Sequence, residues 1–155
     1  MARSQRYNAF SPNPNFAIGQ TLQRPVAGAI PRGFLPLHYN ATETDALRAG
    51  AELRNPFPAS DSQALQRGAF VFANFCRECH GPAGRGDGAV ALRVFPAPPP
   101  LQADKAVKMK DGQMFHVLAY GQDKMPSYAA QLDREDRWKA ILFLRTLQVA
   151  PEGKP

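Results

Sequence analysis

The two cysteines of this chain stand in one short run, Cys76-Arg77-Glu78-Cys79-His80. This C-x-x-C-H spacing is that of covalent haem c attachment, in which both thiols form thioethers with the vinyl groups of one haem and the adjacent histidine ligates the iron. A thioredoxin-like pair would require a βαβ pattern, and a zinc site would require two more Cys or His ligands at suitable spacing. Neither is visible, so the run predicts one covalent haem c with His80 as proximal ligand.

The second axial ligand of the iron decides between electron transfer, ligand binding and oxygen chemistry. Met125 is the predicted ligand, because it lies well downstream of His80 in a stretch where Gly121 and Pro126 favour an irregular loop that can direct a side chain into a crevice. The other methionines suit the role less: Met1 is at the terminus, Met109 lies between two lysines, and Met114 has the helical spacing of a core residue. A thioether stabilises ferrous iron, so this ligand pair predicts a fairly oxidising one-electron relay.

His116 is the alternative ligand, since bis-histidine haems also carry electrons. On a helix from Asp111 to Tyr120 it lies about opposite Met114, which predicts a surface or boundary position. His38, in a proline-flanked segment, is a weaker candidate. A vacant or labile axial position would instead indicate a haem sensor or a peroxidase-type enzyme.

Composition divides the chain near residue 58. Residues 1–58 hold seven of the 15 prolines, and within them only Glu43 to Leu53 has a helical pattern. This arm also carries many apolar residues that it cannot bury alone: Phe10, Phe16, Ile18, Leu22, Val26, Ile30, Phe34, Leu35 and Leu37. We interpret residues 1–58 as an extended, partner-binding arm. The alternatives are a disordered leader or a strap folded over its own domain.

Residues 59–150 have the pattern of an all-α haem domain, followed by a tail at 151–155. Asp61 or Ser62 can begin a helix that runs to about Cys76, and Asp111 begins another that ends at Tyr120. Asp133, with Asp136 three residues later, resembles a capping box for a last helix to about Leu147. The proline run 96–100 predicts an extended segment, and a carbonyl of this run, such as that of Pro98, is a candidate acceptor for the Nδ1 hydrogen of His80.

Gly68 and Phe72 precede Cys76 by eight and four residues. In this arrangement the chain resembles class I cytochrome c, in which the first helix crosses the last at a glycine beside an aromatic residue, because a residue without a side chain lets two helices approach closely. With His80 and Met125 in the same order as in that family, the resemblance covers residues 61–148. It implies an all-α class I cytochrome c haem domain with a long, mostly irregular, proline-rich N-terminal extension.

A narrower resemblance extends over most of the chain. The motifs Cys79 to Gly88, Phe95 with its prolines, Lys124-Met125-Pro126-Ser127-Tyr128 and Asp133 to Trp138 are similar to the monohaem cytochrome c subunit of alternative complex III, as are Arg24 to Gly28, Arg32-Gly33 and Asn55-Pro56. Two features depart from that subunit: Ala29-Ile30-Pro31 replaces its usual Thr-Val-Ala, and a lipidated cysteine near the start is missing. The resemblance implies a non-enzymatic electron-transfer subunit on the periplasmic side of the membrane. It would receive electrons from a multihaem subunit of a quinol-oxidising complex and pass them to a soluble carrier or terminal oxidase.

The charged residues allow two further interpretations. Haem propionates need Arg, Trp or Tyr donors, and Arg93, Tyr128 and Trp138 are candidates by resemblance and donor chemistry. Four lysines provide either a docking face for an acidic redox partner or a solvated surface: Lys105, Lys108, Lys110 and Lys124. The basic residues are scattered along the chain and no recognition motif is present, so nucleic-acid binding is not expected.

No apolar run is long enough to cross a bilayer, and no signal peptide is visible. A freely diffusing periplasmic carrier is the alternative function.

Overall fold

The computed structural model describes residues 6–30, 36–93 and 96–149. The chain divides into two compact units, Met1–His38 and Tyr39–Pro155. The boundary predicted from composition, near residue 58, therefore falls inside the second unit. The 151–155 tail and the apolar residues Phe34, Leu35 and Phe95 lie outside the described residues.

In the first unit, the described residues include a closed loop from Asn8 to Leu22. The Leu22 N–H donates to the Ala9 carbonyl at 2.8 Å, and the Asn13 N–H donates to the Gly19 carbonyl at 2.9 Å. Asn13 is buried at the centre of the loop. Its carboxamide donates to the Thr21 hydroxyl at 3.3 Å and accepts from the Asn15 N–H at 3.0 Å. The sequence predicted an extended arm here, whereas residues 8–22 of it are closed into a loop by these backbone bonds, with the Asn13 side chain adding two more.

The second unit is all-α in its described part, which contains no strand and has these helices: α1 (Glu43–Glu52), α2 (Ser62–Val71), α3 (Arg77–His80), α4 (Asp104–Lys108), α5 (Asp111–Tyr120) and α6 (Arg134–Val149). A π-helical turn, Phe72–Cys76, joins α2 to α3. The predicted fold class is confirmed, and the helices expected at α1, α2, α5 and α6 are present. The sequence predicted one helix to about Cys76; it did not predict the π-helical form of Phe72–Cys76, the continuation into α3, or α4.

Short polar side chains fix where two of these helices begin. Asp61 accepts a hydrogen bond from the Ala64 N–H at 2.9 Å, and Asp133 accepts one from the Asp136 N–H at 2.7 Å. Both residues were predicted as caps. The reciprocal bond of a capping box is not made, because the Asp136 carboxylate instead accepts two hydrogen bonds from Arg67, at 2.8 and 2.5 Å.

Helices α2 and α6 cross at Gly68, as the sequence predicted. A methyl group placed on Gly68 would stand 2.0 Å from the Lys139 carbonyl oxygen, so the two backbones are in direct contact. Phe72 lies beside the crossing, with its ring centroid 5.5 Å from that of Phe143. This crossing sets the direction in which the chain leaves α2 towards Cys76.

A second close contact joins α1 to α5. A methyl group on Gly112 would stand 2.1 Å from the Ala49 carbonyl oxygen. His116 on α5 is buried, with 4% of its surface exposed, and its Nε2 lies 2.7 Å from the Asn40 carbonyl. The expected surface or boundary position of His116 is therefore wrong. The helical pattern of α5 alone could not show that α1 and the residues before it cover this face.

Candidate haem-attachment site

The two cysteines lie where α2 gives way to α3. Cys76 ends the π-helical turn and Cys79 lies one turn later in α3; both thiols are free and half-buried. Burial raises the pKa of Cys76 to about 12, and the neighbouring Cys79 charge adds to the effect. Both thiols thus stand on consecutive turns of one helical segment, which suits attachment to two sites of a single planar group.

A glycine-rich loop closes beneath this segment. The Gly86 N–H donates to the His80 carbonyl at 2.8 Å, and the Gly88 N–H donates to the Cys79 carbonyl at 3.3 Å. A methyl group on Gly88 would stand 2.3 Å from the Glu78 carbonyl oxygen. The loop therefore satisfies carbonyls at the end of α3 through close backbone contacts that only glycine permits.

His80, at the end of α3, is half-buried. Burial lowers its pKa, which favours the neutral imidazole, the form that ligates a metal. Its Nδ1 is buried and has no hydrogen-bond partner among the described residues. The predicted bond to a carbonyl of the proline run, with Pro98 as candidate, is therefore not formed here. The Pro98 carbonyl oxygen instead lies against Gly86, 2.2 Å from where a methyl group on that residue would stand.

Hydrogen bonds made by the residues just after the proline run 96–100 explain why its Pro98 carbonyl faces Gly86. The Leu101 N–H donates to the Gly84 carbonyl at 2.8 Å, and Gln102 Nε2 donates to the Ala83 carbonyl at 2.7 Å. These bonds tie the proline run to the glycine-rich loop rather than to the ring of His80.

Met125 lies in a tight reverse turn just after α5. Gln122 and Met125 exchange backbone hydrogen bonds of 2.9 and 2.8 Å. Gly121, with φ of 82°, and Asp123, with φ of 51°, take left-handed backbone conformations that close the turn. The Ser127 hydroxyl donates to the Ala119 carbonyl at 2.6 Å. The predicted irregular loop is present, and the Met125 side chain is half-buried in it.

Tyr128 connects this loop to the attachment segment. Its hydroxyl donates to the Phe75 carbonyl at 3.1 Å, and its N–H donates to the Leu118 carbonyl at 2.9 Å. Burial raises the pKa of the Tyr128 hydroxyl, and the nearby Cys76 and Cys79 raise it further. The hydroxyl hydrogen that a propionate would accept is thus already donated to a backbone carbonyl.

The other predicted site residues lie in different surroundings. Arg93 is exposed. Trp138 is buried, stacks on Phe115 with a centroid distance of 4.2 Å, and accepts a hydrogen bond at its carbonyl from Asn55 at 3.0 Å. Met114 is buried in the core, as expected. The propionate contacts suggested for Arg93 and Trp138 stay predictions.

The residues fit a haem chemically. Two half-buried thiols and a half-buried imidazole whose lowered pKa favours the neutral form follow one another on a single helical segment, and a methionine-bearing turn is hydrogen-bonded to the same segment through Tyr128. With the glycine crossing of α2 and α6, this fold and site define a class I c-type cytochrome. The family described as "Cytochrome C oxidase, cbb3-type, subunit III" matches residues 63–144, and the chain belongs to that family.

Solved c-type cytochromes are among the similar structures. A chain of the Kuenenia stuttgartiensis reducing HAO-like protein complex has 23% identity and a TM-score of 0.49, over 64% of this chain and 48% of that one. Cytochrome cL of Methylophaga aminisulfidivorans has 20% identity and a TM-score of 0.46, over 57% of this chain and 55% of its own. The c-type cytochrome KustC0563 has 18% identity and a TM-score of 0.44, over 52% of this chain and 96% of its own.

This chain spans about half the length of the first two of these structures. A search of the curated proteins found none that matches it.

Membership of the family implies a haem c cofactor and a role in haem-based electron transfer. Haem c, when bound, supplies an iron that changes oxidation state by one electron. The described residues include no helix that is both long and apolar enough to cross a membrane.

Proposed function

We propose that this chain transfers single electrons through one haem c whose iron is held by His80 and Met125. The observation that carries the proposal is the course of α2, which crosses α6 at Gly68 and leads directly into the only C-x-x-C-H run of the chain. The protein's part is to hold two ligands of different character. The lowered pKa of the half-buried imidazole favours its neutral form, and the thioether is a soft donor that favours ferrous iron.

Replacing Met125 with alanine tests the axial assignment. Without a sixth ligand from the protein, the ferrous form should bind carbon monoxide and the reduction potential should fall, because the donor that stabilises ferrous iron is gone. The matched control is Met114→Ala, which removes a buried methionine from the core of α5. Carbon monoxide titration and potentiometry of both variants measure the effect. A Met125→Ala protein that matches the parent in both measurements would refute the assignment.

We further propose that the chain is a periplasmic subunit of a quinol-oxidising complex of the alternative complex III type. The sequence resemblance over most of the chain supports this, and so does the first unit. In that unit, the large apolar side chains from Tyr7 to Ile30 are exposed rather than buried, Phe10 by 83% and Val26 by 81%. Asn13, a polar residue, is buried while the apolar residues of the loop are exposed, so the loop does not bury its own apolar surface.

The charge of residues 1–38 indicates what kind of partner would cover them. The sequence of residues 1–38 contains four arginines, Arg3, Arg6, Arg24 and Arg32, and no Asp or Glu. An apolar groove with acidic residues on its rim would complement such a surface. We therefore propose that a protein subunit of this character, adjacent to a multihaem cytochrome, receives the arm.

Isolation of the native assembly tests the proposal. Membranes are solubilised gently, the chain is recovered through an affinity tag, and its companions and haem spectrum are recorded. Recovery with a multihaem cytochrome, an iron–sulfur protein and quinol-oxidising activity supports the subunit role. Recovery alone, with a low-spin and redox-active haem, would favour a freely diffusing carrier, a role compatible with the compact unit Tyr39–Pro155.

A further inference from the structure

We propose that Tyr128 is a positioning residue that holds the methionine turn against the haem-attachment segment. The inference rests on the proposed axial role of Met125. In this view the hydroxyl of Tyr128 serves the geometry of the ligand set, rather than a propionate as the sequence suggested. It acts through the backbone of two elements that must stay in register for both ligands to reach one iron.

The contacts of Tyr128 lie on both sides of the site. Its hydroxyl donates to the carbonyl of Phe75, the residue directly before Cys76. Its N–H donates to the Leu118 carbonyl, near the end of α5. Tyr128 is partly buried and packs, as Phe75 does, against a core cluster from the end of α2, the loop and α6: Val71, Leu132 and Ala140.

The rest of the loop is held only locally or to α5. Gln122 and Met125 bond to each other, and Ser127 bonds to the carbonyl of Ala119 in α5. Among the described residues, the Tyr128 hydroxyl makes the only hydrogen bond from residues 121–132 to the segment from Ser62 to His80. It is therefore the polar contact that links the turn bearing Met125 to the segment bearing His80.

This link matters because the predicted ligand is a weak one on a flexible side chain. Methionine has three rotatable bonds, so the position of its sulfur depends on how firmly its backbone is held. Loss of one internal hydrogen bond changes a local equilibrium by about fivefold. If the Tyr128 hydrogen bond favours the arrangement in which the methionine turn lies against the attachment segment, its removal leaves more molecules with the turn displaced. In those molecules an external ligand can take the place of the thioether.

The test replaces Tyr128 with phenylalanine, which keeps the ring and removes only the hydroxyl. We expect full haem incorporation, an apparent carbon monoxide affinity of the ferrous protein about fivefold higher, and a lower reduction potential. Tyr120→Phe is the matched control, since the Tyr120 hydroxyl also donates to a backbone carbonyl, that of Tyr39, away from the attachment segment. Thermal unfolding of both variants measures the general cost of losing a tyrosine hydroxyl.

The outcomes separate this inference from the one on which it rests. A shift of carbon monoxide affinity and potential in Tyr128→Phe, but not in Tyr120→Phe, supports the positioning role. If Met125→Ala opens the iron while Tyr128→Phe behaves like the parent, the role of Tyr128 is refuted and that of Met125 stands. If Met125→Ala has no effect, both proposals fail. Equal shifts in the two tyrosine variants would show a general loss of stability and would also refute the positioning role.

Discussion

At the scale of single residues, the distance between α2 and α6 depends on the absence of one side chain. Gly68 packs directly on the backbone of Lys139, and a backbone carbonyl cannot move aside as a flexible side chain can. Any larger residue at this position must push the helices apart. Because α2 continues into the attachment segment, such a shift would also move Cys76 and His80.

We expect Gly68→Ala to lower the free energy of unfolding by about 2 kcal/mol, the cost typical of an overpacked contact, despite the better helix propensity of alanine. Gly50→Ala is the matched control on α1, where the added methyl group would approach the Gln113 side chain at 3.2 Å. This neighbour is not backbone, so the loss should be smaller. Denaturant unfolding of the two variants provides the comparison, and equal losses would contradict a special role for the crossing.

Asp136 gives a prediction on acid stability. Its carboxylate is buried, and the hydrogen bonds from Arg67 hold its pKa below the usual range, with the Arg67 and Lys139 charges acting in the same direction. A carboxyl group whose pKa is lower in the folded state stabilises the fold above its unfolded pKa, about 3.9. That contribution is lost as the pH falls through the lower, folded value.

Asp136→Asn should therefore lower the melting temperature at pH 6, and the difference from the parent should shrink below about pH 4. The exposed half of the Arg67 side chain limits the expected loss at pH 6 to about 1 kcal/mol. Glu135→Gln is the control, because Glu135 is an exposed carboxylate of the same helix turn that also has a basic partner, Lys139. A difference between Asp136→Asn and the parent that stays constant from pH 6 to pH 3 would contradict the linkage.

At the scale of elements, the sequence predicted what depends on local pattern. The extents of α1 and α5, the Asp61 and Asp133 caps and the Gly68 crossing all follow from periodicity, capping chemistry or a motif within one helix. The attachment run could be recognised for the same reason, since its three reactive residues lie within five positions.

Features that depend on tertiary contacts escaped prediction. The burial of His116 depends on α1 and on the Asn40 carbonyl, which is remote in sequence. The path of Pro98 depends on bonds between Leu101 and the glycine-rich loop. The contact of Tyr128 with the Phe75 carbonyl is of the same kind. A backbone carbonyl carries no sequence signal, so partners of this type cannot be found from residue types and spacing.

At the scale of the whole molecule, the sequence before the family domain has two parts that belong to different compact units. Residues up to His38 form one compact unit, and the compact unit with the haem-attachment segment begins at Tyr39. The family match begins only at residue 63. The stretch between Tyr39 and residue 62, which includes α1, is therefore an addition to the family domain that packs on it.

This division predicts different outcomes for two truncations. Removal of residues 1–38 should leave haem incorporation and melting temperature unchanged, because the unit Tyr39–Pro155 is kept whole. Removal of residues 1–58 also deletes α1 and Asn40. It uncovers the face of α5 at Gly112 and leaves the buried His116 without the Asn40 carbonyl. Loss of even one such buried hydrogen bond should lower the melting temperature by at least about 5 °C.

Thermal unfolding of the two truncated proteins, each with its haem content measured, provides the comparison. Co-isolation with partner subunits tests the binding role of residues 1–38. Both truncations should lose the complex if these residues bind it. Equal melting temperatures for the two proteins would show that α1 does not brace the haem domain. Retention of the complex by either truncation would show that residues 1–38 are not what binds the partner. The difference in melting temperature between the two truncations therefore assigns stability to residues 39–58, and loss of the complex by both assigns assembly to residues 1–38.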